Sequence, residues 1–244
     1  MKKVLIIHGW PQGFNKNHIL NKVLTDRNYS IVAPYLFSQK FLFNLDNVIK
    51  YLIDSLENDE PDVIIGMSIG GLIAPHIAER YPKSKLILVA TGTKFNPKSQ
   101  FIKWFVRNKR VGTFFCGILK LIPKSFLYQV YKILNPFYGG ANDFVLYEED
   151  MKKNVDGIIQ MKSNKLNEIM KFAKRIDNKD VLKRLNNSTL ILSGKKDIFM
   201  PETEAIELSR QIKEGKLVLT DKSHFNVLSK DSLAIIDNFL WSNQ

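Results

Sequence analysis

Cysteine is almost absent from the 244 residues, with Cys116 standing alone. A single thiol excludes an intramolecular disulfide and any thiolate metal cluster, and it points to a reducing compartment, the cytoplasm. Histidine is also scarce: His8, His18, His76 and His224 are the whole set. They show no ligand spacing such as His-x-x-x-His, so no metal or other cofactor is expected. Long apolar runs are missing as well. The most tempting one, Val111 to Leu119, is nine residues between Arg110 and Lys120, whereas a membrane span needs about 20. At the start, only Val4 to Ile7 separate Met-Lys-Lys from His8, too few for the core of an export signal. The rest of the composition is ordinary for a globular chain, at 45% hydrophobic and 25% charged. That balance argues against long disorder, and the length suits one large α/β domain or a core with one insertion.

Six short runs rich in Val, Ile and Leu recur: Val4–Ile7, Ser30–Ala33, Asp62–Ile65, Lys85–Ala90, Thr189–Leu192 and Lys216–Leu219. They lack clean alternation, as expected of strands buried on both faces of a parallel sheet. Helical spacing lies between several of them, at Asp46–Leu56, Ile69–Tyr81 and Glu202–Ile212, and Ser232–Trp241 closes the chain. Such alternation predicts a mostly parallel, doubly wound α/β sheet.

Residues 94–185 break the rhythm. They hold no convincing strand and are aromatic and basic instead, so the chain divides into a core of 1–93 and 186–244 around a helical insertion. Over 94–184 there are 19 Lys/Arg against 8 Asp/Glu, a net +11 out of the chain's +12. A solvated basic surface is one reading of this excess, and a surface that attracts an anionic partner is the other. The insert's aromatics, Trp104, Phe105, Phe114 and Tyr128 among them, would together make the space above the core apolar and line a pocket. Taken singly, most are expected to form the insert's own core. The basic residues are interleaved with apolar ones and no recognition module is present, which argues against nucleic acid.

Residues 66–70 read Gly-Met-Ser-Ile-Gly, after an apolar run and before a helical pattern. A serine nucleophile must stand proud of a sheet on a sharp strand-to-helix turn. Gly66 and Gly70 relieve the crowding there, and the following helix aims its N-terminal N–H groups at a developing oxyanion. Ser68 needs a base. His224, in a loop straight after the last predicted strand, is the best placed. His76 lies two helical turns beyond Ser68 and His18 in a polar loop or helix start, so both read as structural or surface residues. Asp197, at the end of the preceding strand, is the first choice to orient His224. Asp221 ranks second because it shares the histidine's own strand end, and Asp59 and Asp62 lie at the wrong edge. The turn His8-Gly9-Trp10-Pro11 offers the Trp10 N–H beside that of Ile69 as an oxyanion pair, since Pro11 has no N–H. His8 reads as a loop-shaping residue.

Together, His8-Gly9-Trp10, Gly66-Met67-Ser68-Ile69-Gly70-Gly71, Asp197 and His224, in the order Ser, Asp, His, resemble the α/β-hydrolase superfamily. The resemblance covers 1–93 and 186–244, with the insertion where that family carries a cap. It implies a serine carboxylic-ester hydrolase with an acyl-enzyme intermediate. The His-Gly-Trp turn and the Ser-Ile-Gly-Gly-Leu elbow look like carboxylesterases of pimeloyl-acyl-carrier-protein methyl ester, which receive an acidic acyl carrier protein on a basic cap. The start, and the segment Ala33-Pro34-Tyr35-Leu36-Phe37-Ser38, look more like small hydrolases of the retinoblastoma-binding-protein-9 type. A serine at position 68 disfavours the dehalogenases and epoxide hydrolases, which use aspartate there. The expected substrates are small-molecule or carrier-bound acyl esters. Alternatives are a lipase or thioesterase drawn to an anionic membrane surface by a basic aromatic helix, and a non-catalytic binding protein on the same fold.

Overall fold

Six strands lie side by side in the order β2-β1-β3-β4-β5-β6, every neighbouring pair parallel. They are β1 (Lys3–Ile7), β2 (Ser30–Val32), β3 (Val63–Met67), β4 (Lys85–Val89), β5 (Thr189–Gly194) and β6 (Gly215–Thr220). All six coincide with the predicted apolar runs. The computed structural model describes residues 1–11, 13–14, 18–37, 40–108, 114, 117–134, 152 and 155–241, without the side chains at 105, 131, 134 and 163. Cys116 and the side chain of Phe105 thus lie outside the described residues.

The lack of alternation in the strands has a simple cause. Successive side chains point to opposite faces, and both faces are covered. Leu5, Ile7, Ile64, Leu86, Leu88 and Ile191 belong to one core cluster. Val4, Ile6, Val63, Ile65, Ile87, Val89, Leu190 and Leu192 belong to the other. Helices α1 (Ile19–Thr25) and α9 (Lys230–Trp241) supply Leu20, Leu24, Ile236 and Leu240 to the second cluster. Helices α2 (Leu45–Asp54), α3 (Ile69–Ala78) and α8 (Glu202–Gln211) cover the first. The start of α2 is set locally: Asn44 accepts the Asn47 N–H at 2.9 Å as an N-cap, with Asp46 in the first turn.

Between β4 and β5 come α4 (Gln100–Arg107), α5 (Lys124–Leu134), α6 (Ser163–Arg175) and α7 (Lys179–Arg184), with helical turns at 117–121 and 155–160. The excursion is stitched at its neck. Lys94 and Asp177 form an isolated antiparallel bridge, and the Asn178 N–H donates to the Thr93 carbonyl at 2.9 Å. Its second half joins the main core through Met161, Leu166, Ile169, Phe172 and Ile176. Its first half does not: Phe101, Trp104, Phe114 and Phe126 are all exposed. Phe101, Trp104, Phe114 and Phe126 are therefore not part of a core of the insertion. Among the described residues, no helix is long and apolar enough to cross a membrane.

Candidate active site

In an open parallel sheet, ligands collect beyond the carboxyl ends of the strands, where the strand order reverses. Here that point lies between β1 and β3, and Ser68 stands beside it. Ser68 follows β3 directly and precedes α3. Its backbone sits at φ 53°, ψ −118°, a conformation costly for a residue with a side chain. The strain is held by close packing on both sides. The Ser68 N–H donates to the Val89 carbonyl at 2.9 Å. A Cβ on Gly66 would stand 2.5 Å from that of Ala74, and one on Gly70 would run into the Ile7 carbonyl oxygen. Neither position therefore admits a side chain without displacing backbone.

The Ser68 hydroxyl stands 2.9 Å from His224 Nε2, and His224 Nδ1 stands 2.7 Å from Asp197 Oδ2. The carboxylate side chain is fully buried, with 11% of the imidazole exposed. Its other oxygen, Oδ1, accepts the N–H groups of Phe199 and Met200, each at 2.8 Å. With both oxygens committed as acceptors, the carboxylate accepts a hydrogen bond from Nδ1–H, so the proton stays on Nδ1 and Nε2 presents a lone pair to the serine hydroxyl. Asp221 is out of this chain of bonds: it is exposed and pairs with Lys195 at 3.0 Å, which holds its carboxyl below its usual range. Asp62 accepts the Lys3 N–H at 2.6 Å, and Asp59 pairs with the Lys3 ammonium, both away from the elbow.

Two loops must touch for His224 to meet Asp197. The Lys196 N–H donates to the Lys222 carbonyl at 3.0 Å, and a Cβ on Gly194 would collide with that same carbonyl. The turn after His224 is clamped by Asn226, whose Oδ1 accepts from the Ser223 N–H at 2.7 Å and its hydroxyl at 2.8 Å. Phe199 and Phe225 pack on the imidazole at centroid distances of 5.2 and 5.4 Å. Sequence reasoning singled out none of these residues. Gly194, at a strand end directly before a polar turn, carried the one legible signal.

The turn after β1 comes close enough that a Cβ on Gly9 would stand 3.1 Å from that of Ser68. His8 shapes it from below. Its Nδ1 donates to the Gly9 carbonyl at 2.8 Å and its Nε2 accepts the Leu36 N–H at 3.0 Å, with the ring stacked on Tyr35. The Trp10–Pro11 bond is cis. The Trp10 indole N–H donates to Met161 Sδ at 3.2 Å, and a Cβ on Gly157 would stand 2.9 Å from the Pro11 carbonyl. The insertion thus rests directly on this turn, a contact the sequence did not reveal. Ile69, the first residue of α3, has an N–H without an intrahelical acceptor.

The other histidines are structural. His18 caps α1 by accepting the Leu20 N–H at 3.3 Å, and burial lowers its pKa to about 4. His76 meets Asn178 Oδ1 at 2.9 Å, and burial lowers it too. Asn178 also donates to the Leu72 carbonyl at 2.8 Å, pinning the returning insertion to α3. Glu204, a buried carboxylate unnoticed in the sequence, accepts from Thr93 Oγ1 at 2.6 Å and Asn96 Nδ2 at 2.9 Å. Of the predicted pocket aromatics, Trp104 and Phe114 present to solvent, and Tyr128 is half-buried with the Lys152 ammonium 5.5 Å from its ring. Among the described residues, no group of three or more His, Cys, Asp and Glu side chains is placed to hold a metal ion.

A family model described as serine aminopeptidase, S33, matches residues 38–224. Two similar curated proteins are pimeloyl-[acyl-carrier protein] methyl ester esterases of Neisseria meningitidis. The one from serogroup A is 26% identical over 239 residues, covering 91% of this chain and 70% of the relative. One from serogroup B is 27% identical over 238 residues, covering 91% and 85%. Among solved structures, the enol-lactonase from Burkholderia xenovorans LB400 matches with a TM-score of 0.73 at 12% identity, over 99% of this chain and 92% of that one. The esterase from Exiguobacterium antarcticum matches at 0.70 and 19% identity, over 98% and 90%. The two structures share the fold, and the family match spans well over half the chain. The chain belongs to the serine aminopeptidase S33 family within the α/β-hydrolase superfamily and is a serine hydrolase.

Proposed function

We propose that the chain is a carboxylesterase in which Ser68, His224 and Asp197 act as one catalytic unit. The observation that carries this reading is the continuous line of bonds from the Ser68 hydroxyl through His224 to the buried Asp197 carboxylate. His224 Nε2 takes the hydroxyl proton as Ser68 Oγ attacks the ester carbonyl. Asp197 holds the imidazole tautomer and stabilises its cation. The Trp10 and Ile69 amides receive the carbonyl oxygen as it becomes an oxyanion; losing one such donor costs about 10²–10³ in rate. On collapse, the alcohol leaves with the proton from His224. Water then gives a proton to His224 and its hydroxyl to the acyl carbon, and Ser68 regains its proton as the acid departs.

The substrate we favour is an acyl ester, either free or borne by an acidic carrier. The activity printed for the Neisseria relatives supports the carrier-bound form. Labelling by a fluorophosphonate probe and a panel of p-nitrophenyl esters, run beside an acyl-carrier methyl ester, tests both levels. Ser68→Ala is expected to abolish labelling and to lower kcat by as much as about 10⁶. Near-native hydrolysis by that variant would remove Ser68 from the mechanism.

A further inference from the structure

No aspartate or glutamate occurs between residues 80 and 142, a stretch of 63 residues with 12 Lys/Arg. A merely solvated face would mix both signs, as the rest of this chain does. The same stretch carries most of the large hydrophobic side chains exposed among the described residues. Of eleven large hydrophobic side chains exposed among the described residues, seven fall between 101 and 133, at 40% to 84% exposure. They are placed regularly. Phe101 and Trp104 are three apart on α4 with rings 6.0 Å apart. Ile118 and Leu121 are three apart in the helical turn 117–121, and Phe126 and Ile133 are seven apart on α5. Each pair therefore lies on one face of its helix. Arg107, Lys120 and Lys132 are exposed on the same elements, as is Lys124, which pairs with Asp156 at 2.7 Å.

We propose that the exposed side chains of residues 100–108 and 117–134 dock on an anionic phospholipid bilayer. The cations draw this face to the headgroups, and the aromatic and aliphatic side chains enter the boundary with the acyl chains. Two features favour lipid over an acidic protein. Along residues 80–142 the charge is of one sign, with Asp156 from later in the insertion pairing with Lys124, and the apolar residues standing out beside the cations, Leu121 most of all, find no use in a purely ionic contact.

The test is flotation of the full chain with phosphatidylcholine vesicles, with and without about one-third phosphatidylglycerol. Binding is expected only to the anionic vesicles, weakening as NaCl rises from about 0.05 to about 0.5 M. Arg107→Gln with Lys120→Gln should weaken it by about 25-fold, roughly fivefold for each cation removed. Leu121→Ser with Phe126→Ser should weaken it at low and high salt alike. Both doubles should keep native hydrolysis of soluble p-nitrophenyl butyrate, which reports that they fold. Absence of binding, equal binding to neutral vesicles, or unchanged binding by both doubles overturns the proposal. It is equally overturned if the face instead mediates self-association, or if the doubles lose turnover of a carrier-bound ester while native protein ignores vesicles.

Discussion

Replacing Asp197 with asparagine is the sharpest probe of the proposed chemistry, because the structure dictates which way the amide must sit. Oδ1 accepts two backbone N–H groups. An NH₂ group there would face donors on both sides, so the asparagine carbonyl takes that place. Its NH₂ then stands where Oδ2 was, 2.7 Å from His224 Nδ1. The imidazole has to answer with a lone pair on Nδ1, which moves its proton to Nε2. A donor now faces the Ser68 hydroxyl across 2.9 Å, and the base is lost, together with the carboxylate that would stabilise its cation. The expected loss in kcat is about 10⁴, or about 5.5 kcal/mol on the barrier. Stability should hardly change, since every bond keeps a partner. Asp197→Ala differs: it strands the Phe199 and Met200 amides at about 1–3 kcal/mol each, so its melting temperature should fall as well. Steady-state hydrolysis of p-nitrophenyl butyrate beside thermal melts separates the two variants. An asparagine variant within about tenfold of native activity would refute the assigned role.

Other expectations address the frame around the site. Asn178→Ala removes the bonds to His76 and the Leu72 carbonyl. It should cost about 2–4 kcal/mol and lower the melting temperature by about 5–12 °C; an unchanged melt would mean the neck is held by packing alone. Burial lowers both His18 and His76, so each binds fewer protons folded than unfolded. Stability is thus full above about pH 6.5 and declines as pH falls toward 4, with His18 contributing about 2 kcal/mol after allowance for its partial exposure. His18→Asn keeps a capping oxygen and should flatten that decline; an unaltered profile of melting temperature against pH assigns it elsewhere. Gly157→Val should press on the Pro11 carbonyl 2.9 Å from the added carbon, displacing the oxyanion turn and lowering kcat by about 10-fold or more. Native kcat with intact folding would show that the turn is insulated from the insertion.

What the amino-acid order determined unaided was everything that repeats along the chain or crowds into one turn. Val-Ile-Leu runs buried on both faces read as parallel strands because no alternation survives when two helical layers cover a sheet. The elbow at 66–70 was legible because a nucleophile on a sharp turn needs glycines at fixed offsets. What only the folded molecule decided was pairing. Asp197 and Asp221 are both acids at strand ends, and it took the close approach at Gly194 to put one against the imidazole and leave the other with Lys195. The insertion posed the same problem. Both its halves form helices, yet α6 packs into the main core while Phe101, Trp104 and Phe126 stay in solvent. Periodicity tells which side of a helix is apolar; which surface that side meets depends on contacts between residues far apart in sequence, and these exist only once the chain has folded.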